Sequence, residues 1–99
     1  KPNIRHARHL YTLILDIKKI KMSRDRLRKA LHEENIGTGV HFVSIHLHPY
    51  YQKAFSYKRG NFPNAEYISD RTISLPLSPS LSDKDLQDVV SSVKKVLNN

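Results

Sequence analysis

The chain has 99 residues, with 17 Lys and Arg against 9 Asp and Glu, and its formal net charge is +8 at pH 7. This length fits one domain that can bury roughly two-thirds of its unfolded surface, and no apolar run approaches the ~20 residues that span a bilayer. The absence of cysteine excludes disulfides and thiolate chemistry and allows a reducing compartment. We expect a cytoplasmic protein without membrane partners.

The positive charge is concentrated in the N-terminal third. Residues 1–30 hold ten Lys and Arg against two Asp, which gives the whole excess, whereas residues 31–99 hold seven basic and seven acidic side chains. Basic patches bind phosphates through counterion release, so one hypothesis is a stand-alone interaction module that binds RNA or an acidic partner through residues 24–29. Because no RNA-binding aromatic signature or zinc finger accompanies the charge, a solvated helix face is favoured over nucleic-acid binding.

The first half of the chain predicts a strand, a helix and a second strand. Residues 9–17 are rich in Leu, Ile and Tyr at successive positions, which is typical of a central strand covered on both faces. Ser23 then predicts the N-cap of a helix, and Gly37 predicts its left-handed end. Residues 40–45 predict a short second strand.

The second half predicts three helices and one more strand. We expect a helical turn over 49–55 and a helix over 63–71, which begins with a proline, a favourable first helical residue. Alternating apolar residues predict a third strand over 73–77. Ser82 and Asp85 have the spacing of a capping box, and an apolar stripe at helical spacing follows them.

This order of elements describes an α+β fold. We expect a small sheet of about three strands, covered by helices, in a single domain over residues 1–99. The chain opens Lys1-Pro2-Asn3 without an initiator Met, so we also expect it to be a piece of a longer protein.

The segment 41–51 is rich in histidine and tyrosine, whose rings pack apolar faces while still offering a donor or acceptor. Such a cluster suits the lining of a polar ligand site. His46 and His48 also have the spacing of metal ligands, with His41 as a third candidate. Because zinc sites need three or four protein ligands and a fourth is not evident, packed or hydrogen-bonded histidines are the favoured interpretation.

Catalytic templates are missing from this sequence. It has no Gly-rich phosphate loop, no dinucleotide fingerprint, no His-Glu-x-x-His pair and no nucleophile elbow. We expect no pair of carboxylates near the histidines, because Glu66 and Asp70 belong to a separate segment. The chain by itself therefore carries no complete catalytic machinery.

Two stretches nevertheless resemble a known family. They are NIGTGVHFVSIHLHPYYQKAF (residues 35–55) and FPNAEYISDRTISLPLSPSLSDKDLQDVV (residues 62–90). Their order and spacing resemble the C-terminal part of the pyridoxal-phosphate (PLP)-dependent sugar-nucleotide aminotransferases of the DegT/DnrJ/StrS group, and the resemblance extends from His9 to Leu97. It is greatest to the branch that makes 4-amino sugars on a UDP carrier for lipopolysaccharide or surface polysaccharide.

The resemblance implies the small C-terminal domain of a fold-type I aminotransferase. In such enzymes PLP and its Schiff-base lysine belong to a large domain, which is absent here, so no catalytic, cofactor-binding or metal-binding residue is expected in this chain. The full-length enzyme would be a homodimer that moves an amino group from glutamate to a keto-sugar nucleotide. The resemblance places His41, Phe42 and His46 against the substrate, with Phe42 where many relatives have tyrosine.

Overall fold

The computed structural model describes residues 2–98 and confirms the α+β class. In chain order the elements are β1 (Tyr11–Ile14), α1 (Ile17–Ile20), α2 (Arg24–Glu33), a 3₁₀ turn (Ile45–Leu47), α3 (Pro49–Phe55), α4 (Pro63–Ser69), β2 (Thr72–Leu75) and α5 (Asp83–Asn98). None of the helices within residues 2–98 has both the length and the apolar character that crossing a membrane requires.

The sheet joins two strands that are far apart in sequence. β1 and β2 pair antiparallel, from Tyr11 opposite Leu75 to Ile14 opposite Thr72. The central strand predicted over residues 9–17 was therefore too long, and β1 is not covered on both faces. Tyr11 and Ile14 lie on opposite faces of this strand, because successive side chains alternate, and they remain 56% and 48% exposed.

The prediction of about three strands needs correction, since the sheet has two strands within the described residues. The strand expected over 40–45 is replaced by a single bridge, in which Gly39 exchanges both backbone hydrogen bonds with Ser74. After this bridge the chain leaves the sheet, because the amide of Ser44 donates to Ser69 Oγ of α4 at 3.0 Å.

The core lies between α2, α5 and the inner face of the sheet. Leu31 and Ile73 are completely buried, and Leu27 is nearly so. The stripe predicted for α5 contributes Val89 and Val96 to this core. The burial of aliphatic side chains that are far apart in the sequence thus holds α2, α5 and the sheet together.

The helix caps predicted at Ser23 and Ser82 are both confirmed. Ser23 Oγ accepts a hydrogen bond from the Arg26 amide at 3.3 Å. At α5, the Ser82 amide donates to the Asp85 carboxylate at 2.8 Å, and the Asp85 amide donates to Ser82 Oγ at 3.2 Å. These bonds satisfy amides that have no partner inside the first turn.

The predicted end of α2 at Gly37 was wrong, because an asparagine takes the left-handed position. The helix stops at Glu33, and Asn35 adopts a φ of 61°. The amide of Ile36 then donates to the Leu31 carbonyl at 2.9 Å. This backbone pattern closes a helix and returns an apolar residue to the core, and Asn is the residue after Gly that best tolerates its left-handed geometry.

Candidate functional site

An open, largely apolar groove of about 570 Å³ lies beside the 3₁₀ turn, α3 and α4. A run of aromatic rings forms much of its wall, with centroid distances between neighbours of 6.1 Å for Tyr51–Phe55, 5.5 Å for Phe55–Tyr57 and 5.2 Å for Tyr57–Phe62. The Phe62 ring in turn lies 4.9 Å from the imidazole of His46. Ligand sites commonly combine apolar walls with a few polar groups, and this groove has that composition.

His46 is the buried polar residue at the centre of this region. Its side chain is 5% exposed, and its Nε2 lies 2.8 Å from Glu66 Oε1. The expectation that Glu66 lies on a segment apart from the histidines was therefore wrong. The error arose because α4 folds back across the 3₁₀ turn, so two segments twenty residues apart meet.

Glu66 accepts several hydrogen bonds at one oxygen. In addition to His46, its Oε1 receives the amide of Gly60 at 2.7 Å and that of Phe62 at 3.4 Å. Arg59 Nη1 lies 3.6 Å from Oε2. Burial by itself would raise the pKa of Glu66, but the hydrogen bonds from Gly60, His46 and Phe62 outweigh it and place the pKa below its ordinary value.

His41 is fixed to the sheet. Its half-buried imidazole places Nδ1 2.7 Å from Ser74 Oγ, and its ring meets that of Phe42 edge to face at 4.9 Å. The ring also lies directly over Gly39, where an added Cβ would come within 2.6 Å of His41 Cε1. Glycine is thus needed at this position so that the imidazole can pack against the backbone.

The three residues predicted to contact substrate occupy different environments. Phe42 is 73% exposed and lines the groove together with His46. His41 contacts Phe42 from behind and does not itself line the groove. The structure therefore brings Phe42 and His46 to one surface and places His41 in support of Phe42.

The metal-ligand spacing does not produce a metal centre. His46 lies in a 3₁₀ turn rather than a strand and already binds Glu66, while His48 is exposed and reaches only the Val43 carbonyl at 3.4 Å. Across residues 2–98, no group of three His, Cys, Asp or Glu side chains is placed to hold a metal ion.

Part of the basic charge near α2 serves the fold. Arg24 donates to the Ser69 carbonyl at 2.6 Å and to the Asp25 carboxylate at 2.9 Å, and its side chain is 16% exposed. The cation thus binds the carbonyl end of α4, where positive charge is favourable.

The lysines of the described residues do not fit the role of the lysine that forms a Schiff base with PLP. Every lysine from Lys18 to Lys95 is exposed, and none of them lines the aromatic groove. A lysine that forms a Schiff base is instead expected in a desolvated site.

Sequence reasoning missed three polar residues of this region. Glu66 was assigned only to a separate segment, and neither Ser44 nor Ser69 was predicted to line a site. Ser69 Oγ binds the amide of Ser44, whereas Ser44 Oγ is buried without a partner among the described residues. The proline-led start of α4 gave a signal for the helix but none for its packing against the 3₁₀ turn.

Comparison with known proteins identifies several relatives. A model of the DegT/DnrJ/EryC1/StrS aminotransferase family matches residues 1–94. The spore coat polysaccharide biosynthesis protein SpsC of Bacillus subtilis is 52% identical over 94 residues, which are 94% of this chain and 24% of that protein. The uncharacterised protein MJ1066 of Methanocaldococcus jannaschii is 48% identical over 98 residues, which are 99% of this chain and 25% of that protein.

A solved structure has the same fold. PseC of Helicobacter pylori, an aminotransferase involved in the biosynthesis of pseudoaminic acid, superposes with a TM-score of 0.80 at 27% identity, over 91% of this chain and 24% of that chain. The chain thus spans about a quarter of the length of the relatives it matches.

Proposed function

Because the chain belongs to the DegT/DnrJ/EryC1/StrS aminotransferase family, we propose that it is the small C-terminal domain of a sugar-nucleotide aminotransferase. The full-length protein would move an amino group from glutamate to a keto-sugar nucleotide used in surface-polysaccharide or lipopolysaccharide synthesis. The observation that carries this proposal is the family match over residues 1–94, with a polysaccharide-biosynthesis protein at 52% identity.

The aromatic groove is the part of this chain that we assign to the substrate. Phe42 offers an exposed ring, and His46 adds an imidazole at the same surface. Ser44 also lines the groove, and its Oγ is a fully buried hydroxyl without a partner among residues 2–98.

The cofactor belongs, in this proposal, to the part of the enzyme outside the chain. PLP supplies the electron sink for amino transfer when it is bound, and the protein orients the substrate. Since the exposed lysines of this chain do not fit PLP, the role of residues 2–98 is substrate binding and orientation. A homodimer of the full-length protein is part of the same proposal.

The test uses the full reading frame that contains this chain. We expect 2-oxoglutarate to form from glutamate continuously, beyond one equivalent per enzyme, only when both PLP and a UDP-linked 4-keto sugar are present. Phe42→Ala should raise the KM for the sugar nucleotide roughly tenfold, the scale of one lost contact, and leave the glutamate half-reaction unchanged. As a matched control, Tyr11→Ala removes an exposed ring that does not line this groove, so it should leave the KM unchanged.

Two outcomes would count against the proposal. If PLP binds but no keto-sugar nucleotide supports the formation of 2-oxoglutarate beyond one equivalent per enzyme, the sugar substrate is wrong. If PLP does not bind and the protein binds random RNA in a salt-dependent way, the basic-module hypothesis replaces the aminotransferase.

A further inference from the structure

Glu66 is a buried carboxylate to which the resemblance gave no role. It is 7% exposed, and its Oε1 receives His46 Nε2 and the amides of Gly60 and Phe62. Three donors from two different segments therefore meet at one oxygen atom. Such convergence restricts the position of the groups involved, because Glu66 and His46 are both buried and depend on these bonds.

These contacts determine the tautomer of His46. Backbone amides can only donate, so Glu66 Oε1 is an acceptor for Gly60 and Phe62, and His46 Nε2 must carry the hydrogen that it shares with the same atom. In the neutral imidazole the lone pair is then on Nδ1. That atom has no hydrogen bond to the described residues, and it is not among the fully buried atoms without a partner, which are Arg28 Nε and Ser44 Oγ. His46 thus offers an acceptor at the groove.

The same carboxylate holds one wall of the groove. Gly60 has a φ of 98°, a left-handed conformation that favours glycine, and its amide donates to Glu66 at 2.7 Å. Arg59 binds Asp70 of the same region through two contacts, at 2.8 and 3.3 Å. The segment pinned in this way carries the Phe62 ring, which packs on His46.

We propose that Glu66 is a positioning residue for substrate binding: it holds His46 as the Nε2–H tautomer and fixes the Phe62 wall, so that Nδ1 accepts a hydrogen bond from a hydroxyl of the sugar. The role of this acceptor rests on the proposed function. The fixing of loop 58–62 by Glu66 does not, and it can be tested separately.

The kinetic test compares three variants of the full-length protein. Glu66→Ala should raise the KM for the keto-sugar nucleotide roughly tenfold and leave the glutamate half-reaction unchanged. Glu66→Gln keeps an acceptor oxygen, so it should retain most of the wild-type KM. The matched control is Glu34→Ala, which removes a carboxylate bound to Lys95 at 2.7 Å, away from the groove, and should behave as wild type. A KM that is equal in Glu66→Ala and wild type, or equal loss in the Gln and Ala variants, overturns the proposal.

A second measurement does not depend on activity. In hydrogen-exchange mass spectrometry, the peptide that contains Gly60 and Phe62 should exchange faster in Glu66→Ala than in wild type, but not in Glu34→Ala. Unchanged exchange overturns the loop role even if the enzyme is inactive. If wild type transfers no amino group while the exchange difference appears, the proposed function fails and the loop role stands. Should Glu66→Ala not fold, Glu66→Asp withdraws the carboxylate by one methylene and serves the same comparison.

Discussion

Two regions of this molecule bury opposite kinds of side chain: the aliphatic half, which is α2, α5 and the sheet, and the polar half, which is residues 41–70. Around α2, α5 and the sheet, the buried side chains are mostly aliphatic, with Leu31 and Ile73 at the centre. Across residues 41–70, every buried side chain is polar, namely Ser44, His46, Glu66 and Ser69. Most of the large apolar side chains of that region, among them Phe42 and Phe55, are exposed instead.

This difference separates stability from function. Aliphatic burial drives folding without direction, so the first region needs only complementary shapes. The second region is held by directional hydrogen bonds and presents aromatic rings outward, and exposed apolar patches rimmed by polar groups mark interaction sites. The aliphatic half therefore carries the fold, and residues 41–70 carry the surface that we assign to substrate.

Leu31→Ala should have the largest effect on stability, because Leu31 is completely buried in the core. Replacing such a leucine leaves a cavity and lowers the free energy of unfolding by about 2–5 kcal/mol. Urea denaturation followed by circular dichroism measures the loss. Leu86→Ala removes the same atoms from a side chain that is 43% exposed, and it should cost much less. Equal losses would show that the core is misplaced.

Gly39→Ala should cost about 1–3 kcal/mol, since its new Cβ would meet the His41 ring at 2.6 Å and displace it from Ser74. Gly37→Ala is the matched control, because nothing lies within 4 Å of that position. Thermal unfolding of the two variants gives the comparison. A Gly39→Ala protein as stable as Gly37→Ala would contradict the packing of His41 on the backbone.

The serine pair tests the polar half directly. Ser69→Ala leaves the buried amide of Ser44 without its acceptor, so it should lower the free energy of unfolding by about 1–3 kcal/mol. Ser44→Ala removes a hydroxyl that has no partner among the described residues, so stability should stay the same or rise by up to about 1 kcal/mol. Urea denaturation of both variants in parallel compares their free energies of unfolding. A large loss in Ser44→Ala would show that its hydroxyl is bonded in the free protein.

The smallest effect concerns pH. The pKa of Glu66 is lower in the folded protein than its ordinary value of 4.5, so the ionised carboxylate stabilises the fold above pH 4.5. This contribution is lost as the pH falls from 4.5 through the lower pKa of the folded state. Glu66→Gln should therefore lose stability less steeply as the pH falls over that window. At this side chain the unfolded wild type binds up to about one proton more than the folded protein does, whereas glutamine binds none. Urea titrations from about pH 7 to about pH 3 measure the slope, and identical slopes would contradict the assignment.

Local signals explain how far the sequence could predict this fold. The caps at Ser23 and Ser82 and the prolines that open α3 and α4 act within a few residues, so the starts of those helices were predicted correctly. The prediction of a strand over residues 40–45 was wrong because the pairing of a strand depends on residues that are far away in the sequence. A β-rich composition favoured pairing, but the bond from the Ser44 amide to Ser69 draws the chain toward α4 instead.

The site was predicted less completely than the fold, for the same reason. Phe42 and His46 do share one groove. The contact of His46 with Glu66 depends on how α4 packs, and nothing near either residue in the sequence encodes it. Tertiary packing decides which polar groups meet, and composition or spacing alone could not reveal this carboxylate.

The most direct test of this division of roles is hydrogen exchange on the full-length protein, with and without a UDP-linked 4-amino sugar and with free UDP as control. The account predicts slower exchange with the amino sugar in peptides over residues 41–62 and no change over α2 or α5. Protection confined to the basic helix α2, with residues 41–62 unchanged, would contradict the assignment of the groove to substrate.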